Sequence, residues 1–252
     1  MAVLRIGSLS FRLHPGALLI TLLAIAIMIK LGFWQIDRGQ EKQAIIDQHA
    51  QGTAAEIVQV EAANLKYLAE QPDRVVQLTA TFSPDRYFLI DNQMHQGRAG
   101  YHVLALASSP QFDGIEVPVN LGWVPGGVDR QQLPDVALPE GEVYVQGRIR
   151  LPAEKPFMLA EQEFTQELPQ RIQYPELGHM NAEIEGVQLA PLMILLDEEL
   201  DWGFPREWPV VVMTPHRHYA YAVQWFGLAL AALVIFLVAS RQRPNRPENK
   251  EK

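Results

Sequence analysis

The sequence predicts a membrane protein in which two transmembrane α-helices flank a mainly β (α+β) extracytoplasmic domain. Three observations carry this expectation. Two long apolar runs lie near the ends of the 252-residue chain. Acidic and basic residues are divided between the middle and the ends. The middle is built of short runs rich in Val, Ile, Leu and Tyr, separated by turn-forming residues.

The first span is expected over residues 17–34, behind a tail of residues 1–16. From Ala17 to Met28 there is no charge and one polar side chain, Thr21. With Lys30 and Leu31-Gly32-Phe33-Trp34 the run approaches the ~20 residues that cross a bilayer. Lys30 can snorkel outward and Trp34 can sit at headgroup level. Ala24-Ile25-Ala26 also fits a small-x-small cleavage site after a signal sequence. The apolar run continues past it, which favours an uncleaved anchor. The second span is expected over residues 219–239. Gln224 is the polar side chain in its body, and Tyr219, Tyr221, Trp225 and Phe226 crowd its first turns as an interfacial belt would. Residues 240–252 form a basic tail with Arg241, Arg243, Arg246, Lys250 and Lys252.

Charge sets the orientation. Residues 35–214 hold 12 Lys/Arg against 27 Asp/Glu, a net of −15, and the remaining residues hold 9 against 2, a net of +7. The positive-inside rule places both basic tails in the cytoplasm and the acidic middle outside. The short N-terminal tail favours a bacterial inner membrane with a periplasmic domain. An acidic domain without a basic stripe excludes nucleic acid as a partner. The absence of cysteine removes disulfides, thiolate metal sites and thiol nucleophiles.

Within residues 35–214, Ile36–Gln51 reads as a helix that prolongs the first span, and Val60–Glu70 as a second helix. Strands are expected at Val75–Phe82, Arg86–Asp91, Tyr101–Ala107, Ile115–Val119, Val143–Ile149, Leu192–Leu196 and Pro209–Met213. They suggest an antiparallel sheet or a small barrel. Pro152–Gly186 is polar and Pro-bearing, and is expected to be a long loop with a short helix.

No hydrolase elbow, phosphate-binding loop, dinucleotide fingerprint or zinc-protease motif is present, and no enzyme activity is expected. Ser108-Ser109 near His102 is a weak nucleophile–base pairing. Asp197, Glu198, Glu199 and Asp201 can be a hard-cation site or a solvated turn. His216 and His218 sit where the chain enters the second span, and a spacing of two points them to different helix faces. If the helix starts near Pro215, then His218, Ala222, Trp225, Ala229 and Ala232 share a face. Two readings fit it: a haem ligand beside an aromatic and a small-residue groove, or an interfacial histidine beside packing alanines.

Several segments together resemble one family. They are Leu31-Gly32-Phe33-Trp34-Gln35-x-x-Arg38-x-x-x-Lys42, Gly100-Tyr101-His102-Val103, Val119-Asn120-Leu121-Gly122-Trp123-Val124-Pro125, Tyr144-x-x-x-Gly147-x-Ile149-Arg150 with Pro156, and His218-x-x-Tyr221-Ala222-x-Gln224-Trp225-Phe226. In order and spacing, from about Leu31 to Phe236, they resemble the Surfeit locus protein 1 family of cytochrome c oxidase assembly factors. The resemblance implies a non-enzymatic factor that binds haem a and assists its insertion into subunit 1 of the oxidase, with haem a synthase as a further partner. It implies His218 as the iron ligand. Trp225, Arg38, Trp34 and Gln35 are expected around it: Arg38 toward a propionate, the two tryptophans beside the ring. The chain departs from the family pattern at Leu121, where an arginine is usual, and after Val103, where a proline-bearing end is missing. The alternative is a haem-free scaffold that holds oxidase subunits through the periplasmic domain, with the strand Val117–Val124 and Trp123 as its surface.

Overall fold

The computed structural model describes residues 2–6, 9–127, 129, 132–151 and 162–241. Most of the basic C-terminal tail and Pro156 lie outside them. The chain divides into two units, one running to Ile46 and resuming at Val211, the other spanning Asp47–Val210.

The first unit opens with a hairpin of β1 (Ala2–Ile6) and β2 (Leu9–Leu13). The helix α1 follows over Pro15–Ala54 without a break, so the expected helical prolongation of the apolar run is present. Helix α4 spans Pro215–Ser240. Both are long and apolar enough to cross a membrane. They pack antiparallel: a Cβ on Gly32 would lie 2.6 Å from the Phe226 ring, and one on Gly39 would lie 2.4 Å from the Tyr219 ring. The two glycines admit those rings, which is how small residues let membrane helices approach. Outward-facing residues such as Leu19, Ile20, Val223, Leu230 and Val238 are exposed, a surface suited to lipid.

The second unit begins with β3 (Val58–Gln59), a 3₁₀ turn at Ala62–Asn64 and the four-residue α2 (Leu65–Leu68). The expected helix over Val60–Glu70 therefore contracts to about one turn on either side of Asn64. The strands β4 (Val75–His95), β5 (Arg98–Ser108), β6 (Val117–Pro125) and β7 (Glu142–Arg150) follow. Next come β8 (Gln170–Ile172), α3 (Leu177–Glu183) and β9 (Met193–Leu196).

Two expected strands, Val75–Phe82 and Arg86–Asp91, are one strand. The register of β4 against β5 shifts between Phe82 and Tyr87, around Pro84, which lacks the N–H a regular ladder needs. The bend lets β4 serve two neighbours. Val75–Thr81 pairs with β7, and the remainder pairs with β5. Around the sheet the order is β4-β5-β6-β9-β7, with β7 returning to β4. The β6–β9 pairing is parallel and the other four are antiparallel. This closed five-stranded Greek-key barrel has the connectivity of the OB-fold, so the mainly β expectation holds. The strand expected at Ile115–Val119 is displaced to Val117–Pro125, and Pro209–Met213 is not a strand but an irregular lead into α4.

Leu89, Tyr101, Val103, Val119, Leu121, Val145, Ile149, Ile194 and Leu196 fill the barrel. A second cluster lies on the outside of β4 and β5. There Phe88, Ile90, Leu104 and Leu106 pack against Ile172 of β8, Leu177 and Met180 of α3, and Ile184 just after it. Those strands are thus buried on both faces, which accounts for their unbroken apolar runs. Each large side chain so buried contributes about 1.5–3 kcal/mol.

Candidate functional site

Helix α4 starts at Pro215, where a missing N–H costs nothing, after extended Thr214. His218 therefore falls in the first turn. It is 8% exposed, and Ala222 and Ala229 are buried one and three turns further on. On α1, Gly32, Gln35 and Gly39 share a face by their spacing of three and seven. The glycine–ring contacts bring that face against α4, and Gln35 Oε1 lies 2.8 Å from His218 Nδ1. An amide oxygen only accepts, so this contact calls for a proton on Nδ1. Nε2 is then the lone-pair nitrogen. It is buried and has no hydrogen-bond partner among the described residues.

The other expected site residues are placed differently. Trp34 is 52% exposed and Trp225 is half-buried. Arg38 is exposed and pairs with Glu41 one turn along α1, and its guanidinium holds the Glu41 carboxyl below its ordinary range. His216 is exposed. Phe33 meets Phe226 edge-on, with ring centroids 5.4 Å apart. Gln35 and His218 are the pair that the fold brings together.

In the barrel, the motifs around His102 and Trp123 lie side by side. Gly100 pairs with Pro125, Tyr101 with Val124 and His102 with Trp123. A Cβ on Gly100 would lie 2.2 Å from the Val124 carbonyl oxygen, and Gly122 has φ +114° against the Phe204 carbonyl. The His102 ring meets Trp208 edge-on. Burial, then the neighbouring His95, pulls its pKa down to about 4. Ser109 caps the turn at Pro110–Phe112, and Ser108 stands six residues along β5 from His102, about 20 Å away; the pairing with His102 is not formed. β6 buries every residue from Val117 to Val124, so it offers no broad docking face. Leu121, where an arginine is usual, is fully buried in the barrel.

The acidic run after β9 is a braced turn. Asp197 accepts from Gln146 and from the Glu199 N–H, Glu198 accepts from the Trp208 N–H, and Arg206 donates to the carbonyls of Asp197, Leu200 and Phe204. Among the described residues, no three His, Asp or Glu side chains are placed to hold a metal. Sequence patterns gave no sign of a polar cluster nearby. Arg148 on β7 reaches Asp73 at 3.4 Å, His49 Nδ1 at 2.9 Å and the Trp208 carbonyl at 2.7 Å. A cavity of about 290 Å³ opens beside it, lined in part by His49, Thr53, Glu198 and Trp208. Arg148 within an alternating strand, two residues before Arg150, was the available signal.

The model of the SURF1 family matches residues 22–230. This chain belongs to the SURF1 family. It is also similar to a SURF1-like protein of Rickettsia felis, 27% identical over 241 residues that cover 88% of this chain and 96% of the relative. The SURF1 family is membrane-associated and is generally linked to cytochrome c oxidase assembly; it is an assembly-factor family. The match begins within α1, covers the barrel and ends within α4.

Proposed function

We propose that this protein is a bacterial inner-membrane assembly factor that binds haem a through His218 and assists its insertion into subunit 1 of cytochrome c oxidase. Haem a synthase is the partner that would supply the haem. In this reading both tails are cytoplasmic and the barrel is periplasmic, by the distribution of basic residues.

The observation that supports haem binding is the buried Nε2 of His218, which has no partner among the described residues. A neutral imidazole nitrogen with a free lone pair is the donor that haem iron takes, so the residues fit the group. When bound, the haem would supply redox-active iron destined for the oxidase. The protein's own residues do the holding. His218 offers the lone pair and Gln35 orients the ring. Arg38, held in its absence by Glu41, can exchange that carboxylate for a propionate. Trp225 and Trp34 offer aromatic surface near the same ends of the two helices.

The test is the Soret absorbance of protein purified from cells that make haem a. His218→Ala should remove or strongly shift the band while protein amount and membrane insertion stay normal. Arg38→Ala should weaken retention, and His216→Ala should do least. An unchanged spectrum in His218→Ala, with oxidase still acquiring its haem, would refute the assignment. Alkaline phosphatase fused near residue 130 should be active, and fused at the C-terminus inactive; the reverse would overturn the orientation.

A further inference from the structure

We infer that Gln35 is a positioning residue: its side-chain carbonyl fixes His218 in the Nδ1–H tautomer and thereby presents Nε2 as the ligating atom. This deepens the proposed function and rests on it for the haem, but the tautomer itself is a property of the haem-free protein.

The inference starts from distance and chemistry. Gln35 Oε1 stands 2.8 Å from His218 Nδ1, a full hydrogen-bond length with an oxygen that has no proton to give. A neutral imidazole has one N–H, so a proton on Nδ1 leaves Nε2 bare. The opposite amide orientation would donate to Nδ1 and put the proton on Nε2. That would leave a buried N–H with no acceptor, since Nε2 has no partner among the described residues. Buried donors without partners are rarer than under-used acceptors. The geometry therefore selects the tautomer that a metal needs.

The surroundings hold the contact in place. Gln35 lies between Gly32 and Gly39, and the rings of Phe226 and Tyr219 occupy the space beside those glycines. The hydrogen bond is thus bracketed on both sides by aromatic packing. A bond shielded from water is stronger and more directional than an exposed one. Metal-binding histidines generally donate their second ring N–H to a carbonyl or carboxylate, which sets ring orientation and raises basicity. Here the acceptor comes from the other helix, 183 residues away in sequence. The imidazole is consequently poised only when the two helices are packed.

The test uses the full-length protein in detergent, labelled with ¹⁵N-histidine and free of haem. The His218 signals are assigned by difference from His218→Ala. In the unmodified protein Nδ1 should be protonated and Nε2 bare. Gln35→Leu should give a mixture of tautomers, and Gln35→Glu, which keeps an acceptor oxygen, should preserve the Nδ1–H form. Haem titration then follows: Gln35→Leu should weaken binding by about 10–100-fold, the usual effect of losing such a partner. Gln35→Glu should retain affinity and lower the reduction potential, because a charged acceptor makes the imidazole a stronger donor. A protonated Nε2 in the unmodified protein would overturn the inference, as would a Gln35→Leu protein with unchanged tautomer and affinity. If His218→Ala loses haem while Gln35→Leu changes nothing, the positioning role alone fails. If His218→Ala keeps its haem, the proposed function fails and the tautomer result stands by itself.

Discussion

The barrel and the helix pair each set a histidine against a side-chain amide, and they turn opposite ends of that amide toward the ring. In the barrel, the Asn120 side-chain oxygen accepts from the Gly122 N–H, so the amide NH₂ is the group turned 3.5 Å from His102 Nδ1. An NH₂ donates, which makes Nδ1 of His102 the acceptor and leaves its proton on Nε2. In the helix pair, Gln35 presents oxygen instead, so Nδ1 of His218 keeps the proton. The barrel carries His102 on the outer face of β5, partly buried and edge-on to Trp208. The helix pair has few buried side chains and two glycines in its seam, and it leaves one nitrogen without a partner among the described residues. The same residue type thus meets opposite ends of a neighbouring amide in the two regions.

The largest effect that separates the regions should come from the barrel core. Leu89 is fully buried, and Leu89→Ala should cost about 2–5 kcal/mol in urea unfolding followed by tryptophan fluorescence. The His218 tautomer should be unchanged in that variant; a change would break the comparison. Gly39→Ala should have a smaller effect, confined to the helices. Its Cβ would stand 2.4 Å from the Tyr219 ring, and relieving that overlap should cost about 1–3 kcal/mol. It should disturb the His218 resonance while leaving the barrel's unfolding transition in place.

A pH effect comes next. The folded pKa of His102 is lowered from 6.5 to about 4, chiefly by burial. Between those values the unfolded chain binds more protons than the folded one, so protonation favours unfolding. The contribution is fully present above pH 6.5 and is lost as the pH falls toward 4. The urea midpoint of the barrel should therefore fall over that window less steeply in His102→Gln than in the unmodified protein. Equal slopes would show that His102 is solvated. The smallest effect is expected at Glu41. Glu41→Gln removes an exposed ion pair on α1, and such pairs are screened by water and salt. Stability should not change measurably, whereas under the proposed function haem retention should rise slightly because Arg38 is freed from Glu41.

The helices were legible because their signal is local. An uninterrupted apolar run needs no partner to be recognised, and Pro215 marks the start of α4 before any contact is known. His218 and Gln35 were each singled out through motif resemblance. Their hydrogen bond was not, because it depends on the antiparallel register that Gly32 and Gly39 set against Phe226 and Tyr219. In the barrel, Val143–Ile149 was legible from its alternation. β4 was read as two strands because Pro84 interrupts it, although the interruption is a bend that the closed barrel requires. Pro209–Met213 has strand-like composition, but it finds no strand to pair with, and Val212 is fully exposed. The Arg148 cluster gathers side chains from three distant segments, and no local pattern encodes that meeting.

The separation of Gln35 and His218 by 183 residues also has a consequence in time. A ribosome adds about 5–20 residues per second, so about 10–40 s pass between synthesis of the amide and synthesis of the imidazole it must meet. During that interval α1 exists with its glycine face unmatched, while the strands of the barrel emerge in order. α4 follows the barrel strands, and only its arrival completes the hydrogen-bonded pair. A chain that has not yet made α4 therefore cannot form this contact, and the Gln35–His218 pair reports that the second helix has been synthesised and packed.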